Sequence, residues 1–166
     1  MTDASAAPDT TTAATEEDVH EQKAVRLAKR ERLVANRADA GGGAFPVSVP
    51  VTHQIPALRA EYGELEAGAE TGVVVGVAGR VVFSRNTGKL CFATLQAGDG
   101  SRIQAMISLA NVGEESLADW KEYVDLGDHV FVHGEVISSR RGELSIMADA
   151  WAVSYTHLTL PTIYSV

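Results

Sequence analysis

The sequence predicts an all-β domain, a barrel of five strands with a helix between the third and fourth strands and another helix before the first. Residues 71–151 contain five segments in which apolar and polar residues alternate, as in half-buried strands. A segment with helical spacing, residues 113–124, interrupts the strands once. The first strand contains three glycines, which favour the bends that a closed barrel needs.

The composition suits one globular domain with extensions, since 45% of the 166 residues are hydrophobic and 22% are charged. We predict a disordered acidic tail at residues 1–18, a basic amphipathic helix with a linker at 19–66, the barrel at 67–152 and a further tail at 153–166. The formal net charge of −8 argues against a generally basic nucleic-acid-binding protein. It leaves the local distribution of charge open.

Several classes of protein and site are not expected. No apolar run approaches the roughly 20 residues of a membrane span, and residues 1–18 lack the features of a signal peptide. We therefore expect a cytoplasmic protein with no membrane partner. The single cysteine, Cys91, excludes an intrachain disulfide and a cysteine-based zinc site, and the five histidines are too scattered to suggest a metal site.

Residues 19–38 are predicted to form the first helix, which Gly41–Gly43 and the following prolines end. Six basic residues against Glu21 and Glu31 give this segment a local net charge of +4. The basic side is either a solvated face or a surface for phosphates, and composition does not separate the two. One arc of the helix is apolar, namely Ala24, Leu27, Ala28, Val34, Ala35 and Ala38, and a separate arc is basic, namely Lys23, Arg26, Arg30 and Arg37.

A short helix is expected from Ala57, and residues 88–108 then form a hairpin around the turn "AGDG". In this hairpin the apolar positions alternate with the rest and define the core side of each strand. Phe92 and Gln104 therefore face outward. In the fifth strand Glu143 alternates with Leu144 and also faces outward.

Three strands, a helix and two strands in this order are typical of an OB-fold barrel. OB-folds bind oligonucleotides on strands two and three and on the loop between strands four and five, where Phe92, Gln104 and Glu143 fall. An aromatic ring that stacks a base, beside polar groups that select its Watson–Crick edge, forms a small base-binding site. Taken singly, the three could be a rim aromatic, an ordinary strand residue and a solubilising turn charge.

The motifs "VAGR", "GK..F.TLQ", "RIQ", "DLGD" and "GELSI" occur in one order along the chain. With the preceding "KRERLVANRADAGGGAFP", they resemble the N-terminal anticodon-binding region of bacterial lysyl-tRNA synthetases, which are class II aminoacyl-tRNA synthetases. The resemblance covers roughly residues 19–151. "GELSI" together with the helix favours the lysyl members over the aspartyl and asparaginyl relatives.

The resemblance implies that Phe92 stacks on the central anticodon base, a uridine, that Gln104 hydrogen-bonds this base and that Glu143 closes the pocket. Arg80 and Arg85 would hold neighbouring bases or phosphates, although many relatives have two basic residues where this chain has Ser84–Arg85. The expected partner is a lysine-accepting tRNA. Expected phosphate contacts are Lys23, Arg26, Arg30, Arg37, Arg140 and Arg141. Arg140 and Arg141 lie in a predicted hairpin turn, where the alternative is that they serve only solubility.

The resemblance also implies a homodimer, to which Leu27 and Val34 would contribute. In the family a catalytic domain that uses ATP and magnesium follows the barrel, and none of its class II motifs occurs here. We therefore expect a chain that is truncated before this domain, needs no cofactor and is inactive in aminoacylation alone. The alternative function is a single-stranded nucleic-acid-binding OB-fold without base selectivity.

The last segment, residues 153–166, does not resemble the continuation of the family. Its residues "VSYTHLTLPT" resemble the translation of a sequencing-library adapter. We expect a tail of non-native origin with no function, the alternative being a natural, divergent C-terminal strand.

Overall fold

The computed structural model describes residues 16–36 and 49–154. The predicted first helix begins at Glu16, three residues earlier than expected. Residues 1–15, Arg37, Ala38 and residues 155–166 lie outside the described part of the chain. In chain order the elements are α1 (Glu16–Asn36), α2 (Ile55–Tyr62), β1 (Glu70–Asn86), β2 (Leu90–Gln96), β3 (Arg102–Ser108), α3 (Leu109–Val112), α4 (Glu114–Tyr123), β4 (His129–Ser138) and β5 (Leu144–Ser154).

The five strands form a closed barrel in the order β1-β2-β3-β5-β4. Strands β3 and β5 pair in parallel, and the other neighbouring strands pair antiparallel. This confirms the predicted OB-fold, with two helices, α3 and α4, where the sequence predicted one. Closure leaves no free sheet edge within the barrel.

The barrel interior is filled by alternate residues of each strand. In the β2–β3 hairpin the predicted core positions have no solvent exposure, while Phe92 and Gln104 between them are half-buried. The period of two in these strands therefore predicted the correct faces. The fully buried hairpin residues are Cys91, Ala93, Leu95, Ile103, Ala105 and Ile107.

Strand β1 is crossed by the segment that precedes α2, and the crossing is closest at Gly76. Thr52 N donates to Gly76 O at 2.9 Å, and Gly76 N donates to Thr52 Oγ1 at 2.9 Å. A Cβ atom at position 76 would lie 2.6 Å from Pro50 O and 2.8 Å from the ring of Phe131. The approach of the two segments therefore requires a glycine.

A bulge in β1 changes which residues face outward. The register against β2 shifts between Val81 and Phe83. Val77 and Val81 lie in the core, and simple alternation would place Phe83 there as well. Because the bulge adds one residue, Phe83 is instead 54% exposed on the outer face, and Arg85 follows it on that face.

Helix α4 packs on the barrel through Leu117, Trp120 and Tyr123. The rings of Trp120 and Trp151 form an edge-to-face pair with centroids 5.2 Å apart, which joins this helix to β5. Strand β5 continues to Ser154, and Val153 is buried. The barrel therefore includes two residues that the sequence assigned to the C-terminal tail.

Helix α1 contacts the rest of the protein through ion pairs, through a hydrogen bond from Asn36 Nδ2 to the hydroxyl of Tyr123 and through the buried side chain of Leu33. Lys29 Nζ lies 2.9 Å from Asp125 Oδ1, and the guanidinium of Arg26 pairs with Asp128, a carboxylate with no solvent exposure. A third pair, Arg32 with Glu122, is more exposed.

Most of the apolar arc predicted for α1 does not pack, since Leu27 is half-buried but Ala24, Ala28, Val34 and Ala35 are exposed. Val34 is 41% exposed, and the fully buried residue is Leu33, which lies outside the predicted arc. The reason is that the surface facing α1 is acidic, so the helix turns part of its charged side toward the protein. Within residues 16–36 and 49–154, no helix combines the length and apolar character needed to cross a membrane.

Candidate nucleic-acid interface

An open cavity of about 770 Å³ lies on the outer face of the barrel. Strands β1, β2 and β3 form one side of it, and β4, β5 and their connecting loop form the other. The structure brings together at this cavity six of the predicted site residues, namely Phe92, Gln104, Glu143, Arg85, Arg140 and Arg141.

The outer face is organised in rows of residues that lie opposite one another on neighbouring strands. Neighbouring strands are about 4.8 Å apart, so residues in adjacent positions of these rows can contact one ligand. The Gln104 row is Phe83, Thr94, Gln104 and Ser145, and the Phe92 row is Arg85, Phe92, Met106 and Met147. The aromatic ring and the amide thus lie on adjacent strands and in adjacent rows.

Gln104 is oriented by Ser145, a residue that the sequence analysis did not select. Ser145 Oγ lies 2.8 Å from Gln104 Oε1 and 2.9 Å from Glu143 O, so its single hydrogen is shared between these two acceptors, and Ser145 has no solvent exposure. The hydrogen bond holds the oxygen of the amide toward β5. Within the described residues, Gln104 Nε2 has no hydrogen-bond partner, so this group is available to donate to a ligand.

Glu143 is held by Arg59 of α2, another residue that the sequence analysis missed. Arg59 Nη2 donates to Glu143 Oε1 at 2.7 Å, and Arg59 Nε donates to Arg102 O at 2.5 Å. No local pattern reveals this contact, because the two charged residues are 84 positions apart. The arginine fixes the rim of the cavity relative to β3.

The lining of the cavity is locally positive in an acidic chain. It contains three arginines against two glutamates, Glu70 and Glu143. It also contains Ser138, which is 3% exposed and whose Oγ has no hydrogen-bond partner within the described residues.

Other predicted residues lie away from the cavity. Arg80 is exposed on the same outer face, opposite Gln96, and does not line the cavity. Lys23 is exposed on α1, and Arg30 is half-buried there. Their contacts with phosphate stay predictions.

Arg26 lies where α1 meets the barrel, and its predicted phosphate contact stays a prediction. Its guanidinium pairs with the buried carboxylate of Asp128. A charge that is engaged in this way holds α1 against the barrel, because a buried carboxylate needs its cation close by.

Within residues 16–36 and 49–154, no group of three or more His, Cys, Asp and Glu side chains is placed to hold a metal ion.

Comparison with known proteins agrees with this geometry. Residues 75–153 match a tRNA anticodon family described as "OB-fold nucleic acid binding domain". The chain is 60% identical over 137 residues to a lysine–tRNA ligase of Mycolicibacterium gilvum, which covers 82% of this chain and 26% of the relative. A lysine–tRNA ligase of Kineococcus radiotolerans is 59% identical over 149 residues, 89% of this chain and 29% of the relative. One of Cupriavidus metallidurans is 42% identical over 71% of this chain and 22% of the relative. The chain thus spans about a quarter of the length of these curated relatives.

Proposed function

We propose that the chain binds the anticodon loop of a tRNA, because residues 75–153 match a tRNA anticodon family described as an OB-fold nucleic acid binding domain. The observation that carries the proposal is that Phe92, Gln104 and Glu143 line one open cavity. Since the relatives above are lysine–tRNA ligases, the proposed tRNA is one that accepts lysine. The resemblance described above implies uridine at its central anticodon position.

The ring of Phe92 supplies affinity. It is half-buried, so one part of it packs on the barrel and the other is open to a ligand. A base stacked on such a ring contributes about 1–3 kcal/mol, as judged by alanine substitution. Met106 and Met147 continue the same row and give the base an apolar, adaptable floor.

The amide of Gln104 supplies the choice of base. With Oε1 held by Ser145, the Nε2 group donates to O4 of uridine, and the second lone pair of Oε1 accepts from N3–H. Cytosine presents an amino group where uridine presents O4, so it would place a donor against a donor. The hydrogen bond from Ser145 therefore favours uridine.

The surrounding arginines supply sequence-independent attraction. Arg85, Arg140 and Arg141 are exposed at the cavity, where they can neutralise phosphates of the loop. They would serve a non-selective single-stranded nucleic-acid-binding domain equally well. What distinguishes the two functions is the amide held by Ser145.

The activity of the whole relatives is a further proposal for this chain. We propose that it provides the tRNA-binding part of a lysine–tRNA ligase that acts in the cytoplasm. The resemblance implies that ATP and magnesium are used in a separate catalytic domain. No step of that chemistry is assigned to residues 16–154.

A paired titration tests the proposed function. The full chain is titrated with an RNA anticodon stem-loop that has a central uridine, and with the same stem-loop carrying cytidine there. The uridine loop is expected to bind more tightly. Phe92→Ala should weaken its binding at least fivefold and reduce the difference between the loops. Leu126→Ala, which alters an exposed apolar residue away from the cavity, is the matched control. Equal affinities of the intact chain for both loops, with a steep salt dependence, would favour the non-selective alternative.

A homodimer is a separate proposal. Of the two residues expected to contribute, Val34 is 41% exposed and Leu27 is half-buried, and Val25 on the same helix is 49% exposed, so α1 offers apolar side chains to a partner subunit. Sedimentation of the chain over a wide concentration range tests this, and a monomer at the highest concentration would contradict it.

A further inference from the structure

Phe83 is the one aromatic residue among the large apolar side chains that are exposed in the described ranges. Single exposed apolar residues are common and need no explanation. Phe83 differs from the others on β1 because it lines the same cavity as Phe92 and Gln104. Val74, on the same strand and 53% exposed, does not line that cavity.

The strand register places Phe83 on the side of Phe92 that is opposite Gln104. Phe83 lies on β1, Phe92 on β2 and Gln104 on β3, and the pairs Phe83–Thr94 and Thr94–Gln104 face each other. Two strand spacings, roughly 10 Å, therefore separate Phe83 from Gln104. A base that stacks on Phe92 and contacts Gln104 leaves the ring of Phe83 uncovered.

The cavity has room for more than one base. Its volume of about 770 Å³ is in the range of pockets that enclose a whole drug-sized ligand, which is much larger than a single pyrimidine. Arg85, two residues after Phe83, also lines the cavity and can contact a phosphate that joins two stacked nucleotides.

We propose that Phe83 is a second stacking platform, which takes the base next to the one bound by Phe92. This inference rests on the proposed function, since it needs a single-stranded loop at the cavity. Every base has a π-face, so the platform adds affinity whichever base is present. Selection of the base stays with Gln104.

The test uses the full chain and three RNA stem-loops: the uridine-containing loop, and two versions in which the nucleotide on the 5′ or the 3′ side of the central base is abasic. Phe83→Ala is expected to weaken binding of the intact loop at least fivefold and to have no effect on one abasic loop. Phe83→Tyr keeps a ring and should keep the affinity. Val74→Ala is the matched control on the same strand. A fluorescent 2-aminopurine at the affected position should be quenched by the intact chain and not by Phe83→Ala.

Equal losses on all three loops, or no loss on any, would overturn the second platform. Phe92→Ala separates this failure from failure of the proposed function. If Phe92→Ala weakens binding and Phe83→Ala does not, only the platform is wrong. If Phe92→Ala has no effect, or the intact chain does not bind the loop, the proposed function fails and the platform fails with it.

Discussion

Arg59 and Glu143 form an ion pair across the rim of the cavity, with 2.7 Å between Nη2 and Oε1. The same arginine donates to the carbonyl oxygen of Arg102. One side chain of α2 therefore connects β3 with the residue that precedes β5. Both partners are partly exposed, so the pair contributes little to stability. The main effect of the pair is to fix the position of Glu143 at the rim of the cavity.

Arg59→Ala is therefore expected to weaken binding of the uridine-containing stem-loop while changing the free energy of unfolding by less than about 1 kcal/mol. Arg59→Lys should restore only part of the affinity, because an ammonium group lacks the planar fork that reaches both acceptors. Titration and thermal unfolding measure the two effects. Arg102→Ala is the control, since it removes a nearby exposed charge and keeps the carbonyl. Losses of the same size in Arg59→Ala and the control would contradict the positioning role.

Arg26→Met is expected to destabilise the chain by roughly 3 kcal/mol, because it leaves the buried carboxylate of Asp128 without this cation. Arg32→Met, which removes an exposed partner of Glu122, should cost about 1 kcal/mol or less. Urea unfolding compares the two variants. The salt dependence of RNA binding should be the same in Arg26→Met as in the intact chain. A shallower dependence would support the phosphate contact predicted from the sequence.

Cys91 is expected to react slowly with thiol reagents at pH 8. Burial raises the pKa of its thiol, with Lys121 acting in the opposite direction, and the S–H group donates to Asn86 Oδ1 at 2.7 Å. The thiolate is the reactive form, so little of it is available in the folded chain. Absorbance of a released chromophore, followed with and without urea, measures the rate. Labelling of the folded chain as fast as that of the unfolded chain would be inconsistent with this environment.

Asp99, in the β2–β3 turn, is expected to titrate below the ordinary range of a carboxyl. Ser101 N and Ser101 Oγ both donate to its carboxylate, at 2.9 and 2.8 Å, and these bonds lower its pKa. Since the folded pKa is the lower one, the stabilisation is present above the unfolded pKa of about 3.9 and is lost as pH falls through the folded pKa. NMR titration of the Asp99 carboxyl should show a higher pKa in Ser101→Ala. An unchanged pKa in that variant would remove the hydroxyl as a cause.

The alternation of the β2–β3 hairpin was enough to predict which side chains face outward, because strand geometry has a fixed period of two. That is why Phe92 and Gln104 could be selected from the sequence, and the structure places both at the cavity. The same rule fails for Phe83. A one-residue bulge changes its face, and the glycines of β1 indicate a bulge without giving its position.

Contacts between distant charges were the other part that the sequence could not predict. Arg26 and Asp128 are 102 positions apart, and Arg59 and Glu143 are 84 apart. Composition offered only a solvated face or a phosphate surface for the basic side of α1. The acidic surface that pairs with these basic residues contains Asp125 and Asp128, and it forms only when the α4–β4 loop is folded beside α1.

Because β3 pairs in parallel with β5, the amide of Gln104 is oriented by the hydroxyl of Ser145, which lies 41 positions later in the chain. A nascent chain that has emerged only as far as β4 contains the ring of Phe92 and the amide of Gln104. It does not yet contain the hydroxyl of Ser145 that orients this amide. The proposed selectivity for uridine would therefore arise only when the last strand is in place. RNA discrimination, measured during synthesis, would report the moment at which the barrel closes.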